Sequence, residues 1–231
     1  MAANALKIVV GLGNPGAEYA RTRHNAGFWL VERFAQTSGF TLRKDPKFKA
    51  LVGKNAGGAW FLLPQSFMNL SGQPVQMLAG FFRIKPEEIL VVHDELDFEP
   101  GVARLKQGGG IAGHNGLKDI SQRLASHDYW RLRIGVGKPP AGAPGADYVL
   151  QKPMAEDKAA IDQAIDRALQ VLPEMLTGDM QGAVQKLHSS EPKPVEKKEP
   201  PKKEVPIKEP EKKQPEPQKS GGLLKSLFGK K

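Results

Sequence analysis

The 231-residue chain contains no cysteine. That removes disulfides, thiolate nucleophiles and cysteine-based zinc sites, and it fits a reducing compartment. It also lacks a G-x-S-x-G turn, so no serine nucleophile of the hydrolase-elbow kind is advertised. The opening MAANALKIVVG has neither a long apolar core nor a cleavage pattern, so a secretory signal is not expected. No apolar run approaches the ~18 residues needed to span a bilayer. Asn69-Leu70-Ser71 is then a chance match to a glycosylation acceptor. These absences point to a cytoplasmic protein.

Acidic residues are also in deficit. Lysine and arginine number 34 against 25 aspartates and glutamates, for a net charge of +9 and a pI near 9.6. Such a balance favours a polyanionic partner, most simply nucleic acid. The excess is unevenly spread: Ser189–Lys231 holds twelve lysines and seven glutamates, leaving +4 on residues 1–188. Large apolar residues nearly vanish from residue 189 onward, so 189–231 is expected to be a disordered Lys/Glu/Pro-rich tail. Its last residues, GGLLKSLFGKK, form a short amphipathic stretch with Leu223, Leu224, Leu227 and Phe228 on one face. That stretch reads either as a solvated end or as a docking peptide for a membrane surface, nucleic acid or a protein groove.

Residues 6–152 alternate strand and helix signals, and residues 155–188 read as helical. LKIVV, AWFLLPQ, EEILVVHDELD and YWRLRIGVG are short apolar runs of the kind buried parallel strands show, and GVARLKQ alternates like an edge strand. Between them, helices are expected at NAGFWLVERFAQTSG (Phe28, Val31 and Phe34 inward, Gly39 as stop), SGQPVQMLAGFFR (Val75, Leu78, Phe81 and Phe82 inward) and NGLKDISQRLAS (Leu117, Ile120, Leu124). Residues 155–188 carry an apolar stripe of Ile161, Ile165, Leu169 and Leu172. The alternation predicts an α/β fold around a largely parallel sheet.

Gly11-Leu-Gly-Asn-Pro-Gly16 fits the dinucleotide pattern G-x-G-x-x-G. A pyrophosphate loop, however, must run straight into a helix N-terminus. Here helical periodicity begins only near Phe28, and no acid stands where a ribose partner belongs. The long connection instead delivers Asn14, Tyr19, Arg21, Arg23, His24 and Asn25 to the C-terminal edge of the first strand, where open α/β sheets bind ligands. Asp94 follows the run ILVV, Asn69 lies in PQSFMNLSG, and His114 and Asn115 lie in GGGIAGHNG. Asparagine and histidine at helix starts are commonly caps, but four such loops after four strand signals exceed what capping requires. A His–Asp pair can activate water: the carboxylate fixes the imidazole tautomer, and asparagine amides can stabilise an oxyanion. His93-Asp94-Glu95-Leu96-Asp97 could evoke a metal, but alternate strand residues face opposite ways and no second ligand motif follows.

VGLGNPGAEYARTRHNAG, SFMNLSG, VVHDELDFEPG and GGGIAGHNGLKDI together resemble, in order and spacing, the signature blocks of bacterial-type peptidyl-tRNA hydrolases, over roughly residues 5–188. The resemblance implies a single three-layer α/β/α domain around a mixed sheet. It also implies hydrolysis of the ester between a peptide and the 3′ end of tRNA, by a monomer that uses no cofactor and no metal. His24 would be the general base and Asp94 its orienter, while Asn14, Asn69 and Asn115 would hold peptide, water and oxyanion. Tyr19, Met68 and His114 would line the cleft. Lys106 and Arg133 would grip tRNA phosphates, with Arg21, Arg23 and Arg131 extending the rim and Lys138 a further candidate. Glu95 and Asp97 would be solvent-facing or turn-forming, and His93 structural. The alternative is a non-catalytic RNA-binding relative of the same fold. The tail could add ribosome or membrane contact.

Overall fold

The computed structural model describes residues 5–189. Seven strands form one sheet in the order β2-β3-β4-β1-β5-β7-β6. The strands are β1 (Ile8–Gly11), β2 (Arg43–Asp45), β3 (Ala50–Lys54), β4 (Trp60–Pro64), β5 (Ile89–Glu95), β6 (Ala103–Gln107) and β7 (Trp130–Gly135). The four central strands, β4, β1, β5 and β7, run parallel. β3 and β2 on one side and β6 on the other run antiparallel to their neighbours.

The central strands are apolar throughout because both faces are covered, and successive residues serve opposite cores. Val9, Phe61, Leu63, Leu90 and Val92 pack in one core with α1 (Ala26–Thr37), α5 (Ala155–Thr177) and α6 (Met180–Ser189). Ile8, Val10, Leu62, Ile89 and Val91 pack in the other with α2 (Gly72–Phe82) and α3 (Asn115–Leu124). This is the expected α/β/α domain. The stretch at 155–188 divides into two helices, because Gly178 takes a left-handed conformation (φ 94°) that ends α5. No helix among the described residues is long and apolar enough to cross a membrane.

Two expectations need correction, and one hairpin lies outside the expected elements. Phe81 and Phe82 do not face the core: they are 56% and 38% exposed on the last turn of α2, which stops at left-handed Arg83. Arg23 and Arg131, expected to extend the basic rim, are buried and are placed below. Glu95 is buried, not solvent-facing, and forms the turn by accepting the Asp97 N–H. The charged stretch RKDPKFKALVGK forms the unexpected β2–β3 hairpin that extends the sheet edge.

The helix after β1 starts at Ala26, fourteen residues beyond Leu12, so Gly16 opens no helix and the dinucleotide reading fails. α1 instead begins pressed against the sheet. A Cβ on Gly27 would lie 2.3 Å from the Val92 carbonyl oxygen and 2.4 Å from the Leu12 nitrogen, and one on Gly11 would lie 2.5 Å from the Gly27 oxygen. These neighbours are backbone atoms, which have no rotamer to give. Gly27→Ala is therefore expected to lower stability by about 1–3 kcal/mol or more through overpacking. Denaturant midpoints of the two proteins check this, and an unaltered midpoint would mean that α1 shifts freely.

Candidate active site

The loop from β1 to α1, the end of β5, the turn after β4 and the start of α3 meet at one end of the sheet. They enclose a cleft of about 530 Å³ lined by Asn14, Tyr19, His24, Met68, Asn69, Asp94, His114 and Asn115, among others. Every cleft residue expected from the sequence is therefore in one place. Lys106 and Arg133 lie outside its lining, on β6 and β7.

Asp94 is the centre. Buried at 3% exposure near the end of β5, its Oδ1 is 2.9 Å from His24 Nδ1 and 3.2 Å from His114 Nε2. The direction of both bonds follows from the other nitrogen of His114. Its Nδ1 accepts the backbone N–H groups of Gly116 and Leu117, as the N-cap of α3. A nitrogen that accepts carries no proton, so Nε2 holds it and donates to Asp94. His24 likewise donates from Nδ1, which leaves its Nε2 lone pair for the cleft. Burial alone would raise Asp94 towards its neutral form, but the charge of His24 and the bonds from both imidazoles hold its carboxyl far below the ordinary range. For His24, burial acts downward, and the charge of Asp94 with the hydrogen bond to it outweighs that. Its pKa therefore sits above 6.5. His93 lies behind the pair at the cleft lining: its ring meets that of His114 edge-to-face at 5.1 Å, it bonds the Asp94 carbonyl oxygen, and burial with the neighbouring His114 pushes it down to about 3.

One ligand atom from each of His24, Asp94 and His114 lies within 4.8 Å of the others, a spacing that can hold a metal ion. The two hydrogen bonds account for this closeness by themselves, and the second nitrogen of His114 is committed to capping α3.

Asn14 is held just as firmly. Its backbone N–H donates to Asn25 Oδ1 (2.9 Å) and its carbonyl accepts from Asn25 Nδ2 (3.0 Å). Its own Oδ1 accepts the Met68 N–H at 2.8 Å. With that oxygen engaged, the Asn14 amide presents its N–H groups to the cleft. Asn25, seen in the sequence only as one polar member of the loop, is thus the residue that fixes Asn14. Asn69 and Asn115 stand exposed on the cleft wall, from the turn at Met68–Leu70 and from the first residue of α3. Tyr19 meets Phe67 edge-to-face at 6.2 Å, and Phe67 is 57% exposed. Phe67 escaped the sequence reading, although an aromatic beside Met68 in an otherwise polar turn was the available signal. So did the wall formed by Gly145, Ala146, Val149 and Leu150 of the short helix α4 (Gly145–Val149) and its end.

The basic rim is smaller than expected. Arg23 is buried, with its guanidinium stacked 3.9 Å above the Tyr148 ring and donating to the carbonyls of Tyr148, Gln151 and Lys152. Arg131 is buried and donates to the carbonyls of Gly109 and Gly110, which shapes the glycine loop before α3. Both neutralise backbone dipoles and do not face solvent. Glu95 is also buried, because it pairs with Arg133 Nε at 2.9 Å. Arg133 keeps 23% of its side chain exposed and rests over Phe98. Arg21 and Lys106 are exposed, and Lys138 pairs with exposed Asp97 at 3.4 Å.

Comparison with known proteins agrees with this geometry. The chain matches the profile of the family described as Peptidyl-tRNA hydrolase over residues 8–197. It is 52% identical over 194 residues to the peptidyl-tRNA hydrolase of Thiobacillus denitrificans, covering 84% of this chain and 96% of that one. It is 51% identical over 189 residues to that of Nitrosospira multiformis, covering 80% and 99%. A crystal structure of peptidyl-tRNA hydrolase from Acinetobacter baumannii superposes with a TM-score of 0.79 at 44% identity, covering 84% of this chain and 98% of that one. The profile and the identities extend over most of the chain, and the chain belongs to the peptidyl-tRNA hydrolase family.

Proposed function

We propose that the protein hydrolyses the ester joining a peptide, or an N-blocked amino acid, to the 3′ end of tRNA, and so frees the tRNA for reuse. One observation carries this: a single buried carboxylate oxygen orients His24 with its Nε2 turned into a cleft lined by three asparagines. His24 Nε2 removes a proton from water as the water attacks the ester carbonyl. Asp94 steadies the imidazolium that results, and asparagine amides, with Asn14 foremost, stabilise the oxyanion. When the tetrahedral intermediate collapses, the C–O bond breaks and the ribose oxygen leaves with the proton from His24. No residue of the chain forms a bond to the acyl group. His114 acts as a positioning residue on Asp94. The non-catalytic RNA-binding alternative is not favoured, because every group that hydrolysis needs is present and oriented.

Tyr19 and Phe67 offer ring faces to the unpaired 3′ nucleotides. Main-chain contacts from Asn69 and Asn115 tolerate any peptide side chain but require an amide beyond the scissile ester. The intact chain should therefore cleave N-acetyl-aminoacyl-tRNA far faster than aminoacyl-tRNA with a free amine. Comparable rates for the two would sink this account of selectivity.

Lys106 and Arg133 are assigned to tRNA phosphates, with Arg133 aimed by Glu95. Lys106→Ala should weaken substrate binding, leave the rate at saturation intact and reduce the slope of log affinity against log salt by about 1. Affinity measured across a salt series checks it. We assign the work to a cytoplasmic monomer built from residues 1–188. The tail from 190 onward, with its proposed ribosome or membrane contact, lies outside the described residues.

A further inference from the structure

A second surface lies along the β2–β3 edge of the sheet. The segment Arg43–Lys54, RKDPKFKALVGK, holds five basic residues and one acidic, a net of +4. That equals the net charge of the whole of residues 1–188, so the remainder of the domain is balanced. The hairpin formed by this segment is the sheet edge, with Arg43, Lys44, Lys47, Lys49 and Lys54 all exposed.

The charge is interleaved with aromatic rings. Phe81 and Phe82 stand out from the end of α2 in edge-to-face contact at 4.9 Å, and Phe82 stacks on Trp60 at 4.6 Å. Phe48 underlies both phenylalanines, at 5.8 and 6.3 Å. Lys47 Nζ lies 3.3 Å from the Phe81 centroid and Lys54 Nζ 5.0 Å from that of Trp60. Burial in the core does not explain Phe81, which is 56% exposed.

None of these residues lines the cleft. Trp60 pairs with Ile8, the first residue of β1, whereas the cleft forms beyond the last residues of the parallel strands. The hairpin turn comes nearer, since Ala50 pairs with Pro64 at the cleft end of β4. α2 runs from the cleft side at Gly72 to Phe82, which sets Phe82 roughly 15 Å from that side along the helix.

We propose that the β2–β3 hairpin and the end of α2 form a second RNA-binding surface, specific for a single-stranded segment other than the 3′ end in the cleft. Ammonium groups poised at ring faces match the alternation of phosphate and base along such a strand. The phosphates take Lys47 and Lys54, and a base lies on the open face of Phe81. An anionic bilayer would use the same charge but would call for aliphatic residues to enter the hydrocarbon, and here the exposed apolar groups are rings flanked by lysines. An acidic protein would satisfy the charge and leave the ring faces idle.

The test uses the full chain, a fluorescent oligouridylate of about 12 nucleotides and, in a separate arm, phosphatidylglycerol vesicles. The double variant Lys47→Glu/Lys54→Glu should bind the oligonucleotide at least about tenfold more weakly at low salt, with a flatter salt dependence. Phe81→Ala should lose about fivefold or more while the salt slope stays as it was, since stacking releases no counterions. Hydrolysis of N-acetyl-aminoacyl-tRNA should be unchanged in both variants, which also shows that they fold. Equal oligonucleotide affinity in wild type and variants overturns the proposal. So does a loss confined to the vesicle arm, which would make the surface a lipid contact. A wild type that failed to hydrolyse the ester would count against the proposed function and leave the oligonucleotide comparison standing.

Discussion

His24→Ala should slow hydrolysis of N-acetyl-aminoacyl-tRNA by about 10²–10⁴-fold, the usual worth of a general base. The loss should fall on the rate at saturation, because the side chain touches the attacking water and not the polynucleotide. The fold has little to lose. His24 is only partly buried, and among the described residues its side chain bonds Asp94. Single-turnover rates with the enzyme in saturating excess over the substrate check this. A variant that kept its rate would move the base elsewhere, and His114 is poorly suited to replace it, since its Nδ1 caps α3 and its Nε2 carries a proton.

Asp94→Asn should cost a loss of similar order, about 10²–10⁴-fold, with a signature of its own in the pH profile. The reaction needs neutral His24, so the rate must fall as pH drops through the His24 pKa. In the wild type that acid limb lies above 6.5, because the charge of Asp94 and its hydrogen bond outweigh the downward push of burial. The amide keeps the burial and removes the charge, so the limb should move below 6.5 even as the plateau falls. An amide N–H can also face His24 Nδ1 and turn the proton onto Nε2, the wrong tautomer for a base. A rate–pH profile of both proteins checks this. A lower plateau with an unmoved limb would mean that Asp94 acts only by holding its neighbours in place.

The parallel strands were legible because burial on both faces leaves unbroken apolar runs such as ILVV before His93. His24 and Asp94, seventy positions apart, were legible as partners because one follows β1 and the other closes β5, parallel neighbours whose C-terminal ends share an edge. The hairpin was not, since β2 is an edge strand with charged residues on its surface and carries no hydrophobic period. Phe81 and Phe82 continue the spacing of Val75 and Leu78, and only the length of the sheet beneath decides that the core has ended before them. Arg23, Glu95 and Arg131 look like surface charges, because what buries them is distant in sequence: carbonyls at 148–152, Arg133 and the glycine loop. The same holds for the two hydrogen bonds that Asp94 accepts. The sequence shows two histidines, and only the α3 cap settles which nitrogen of His114 faces the carboxylate.

The burial of Arg23 has a mechanical side. The residue directly before the base is riveted, by three carbonyls and a stacked ring, to the chain leaving α4, and its own backbone N–H donates to Gln151. One wall of the cleft is α4, so that wall is anchored at its C-terminal end, while Ala141–Ala143, the stretch leading into it, lies exposed. The loop that carries the base and the wall that faces it are therefore one braced piece: whatever fixes the end of α4 also fixes the residue before His24, so the aim of the base is set from across the cleft.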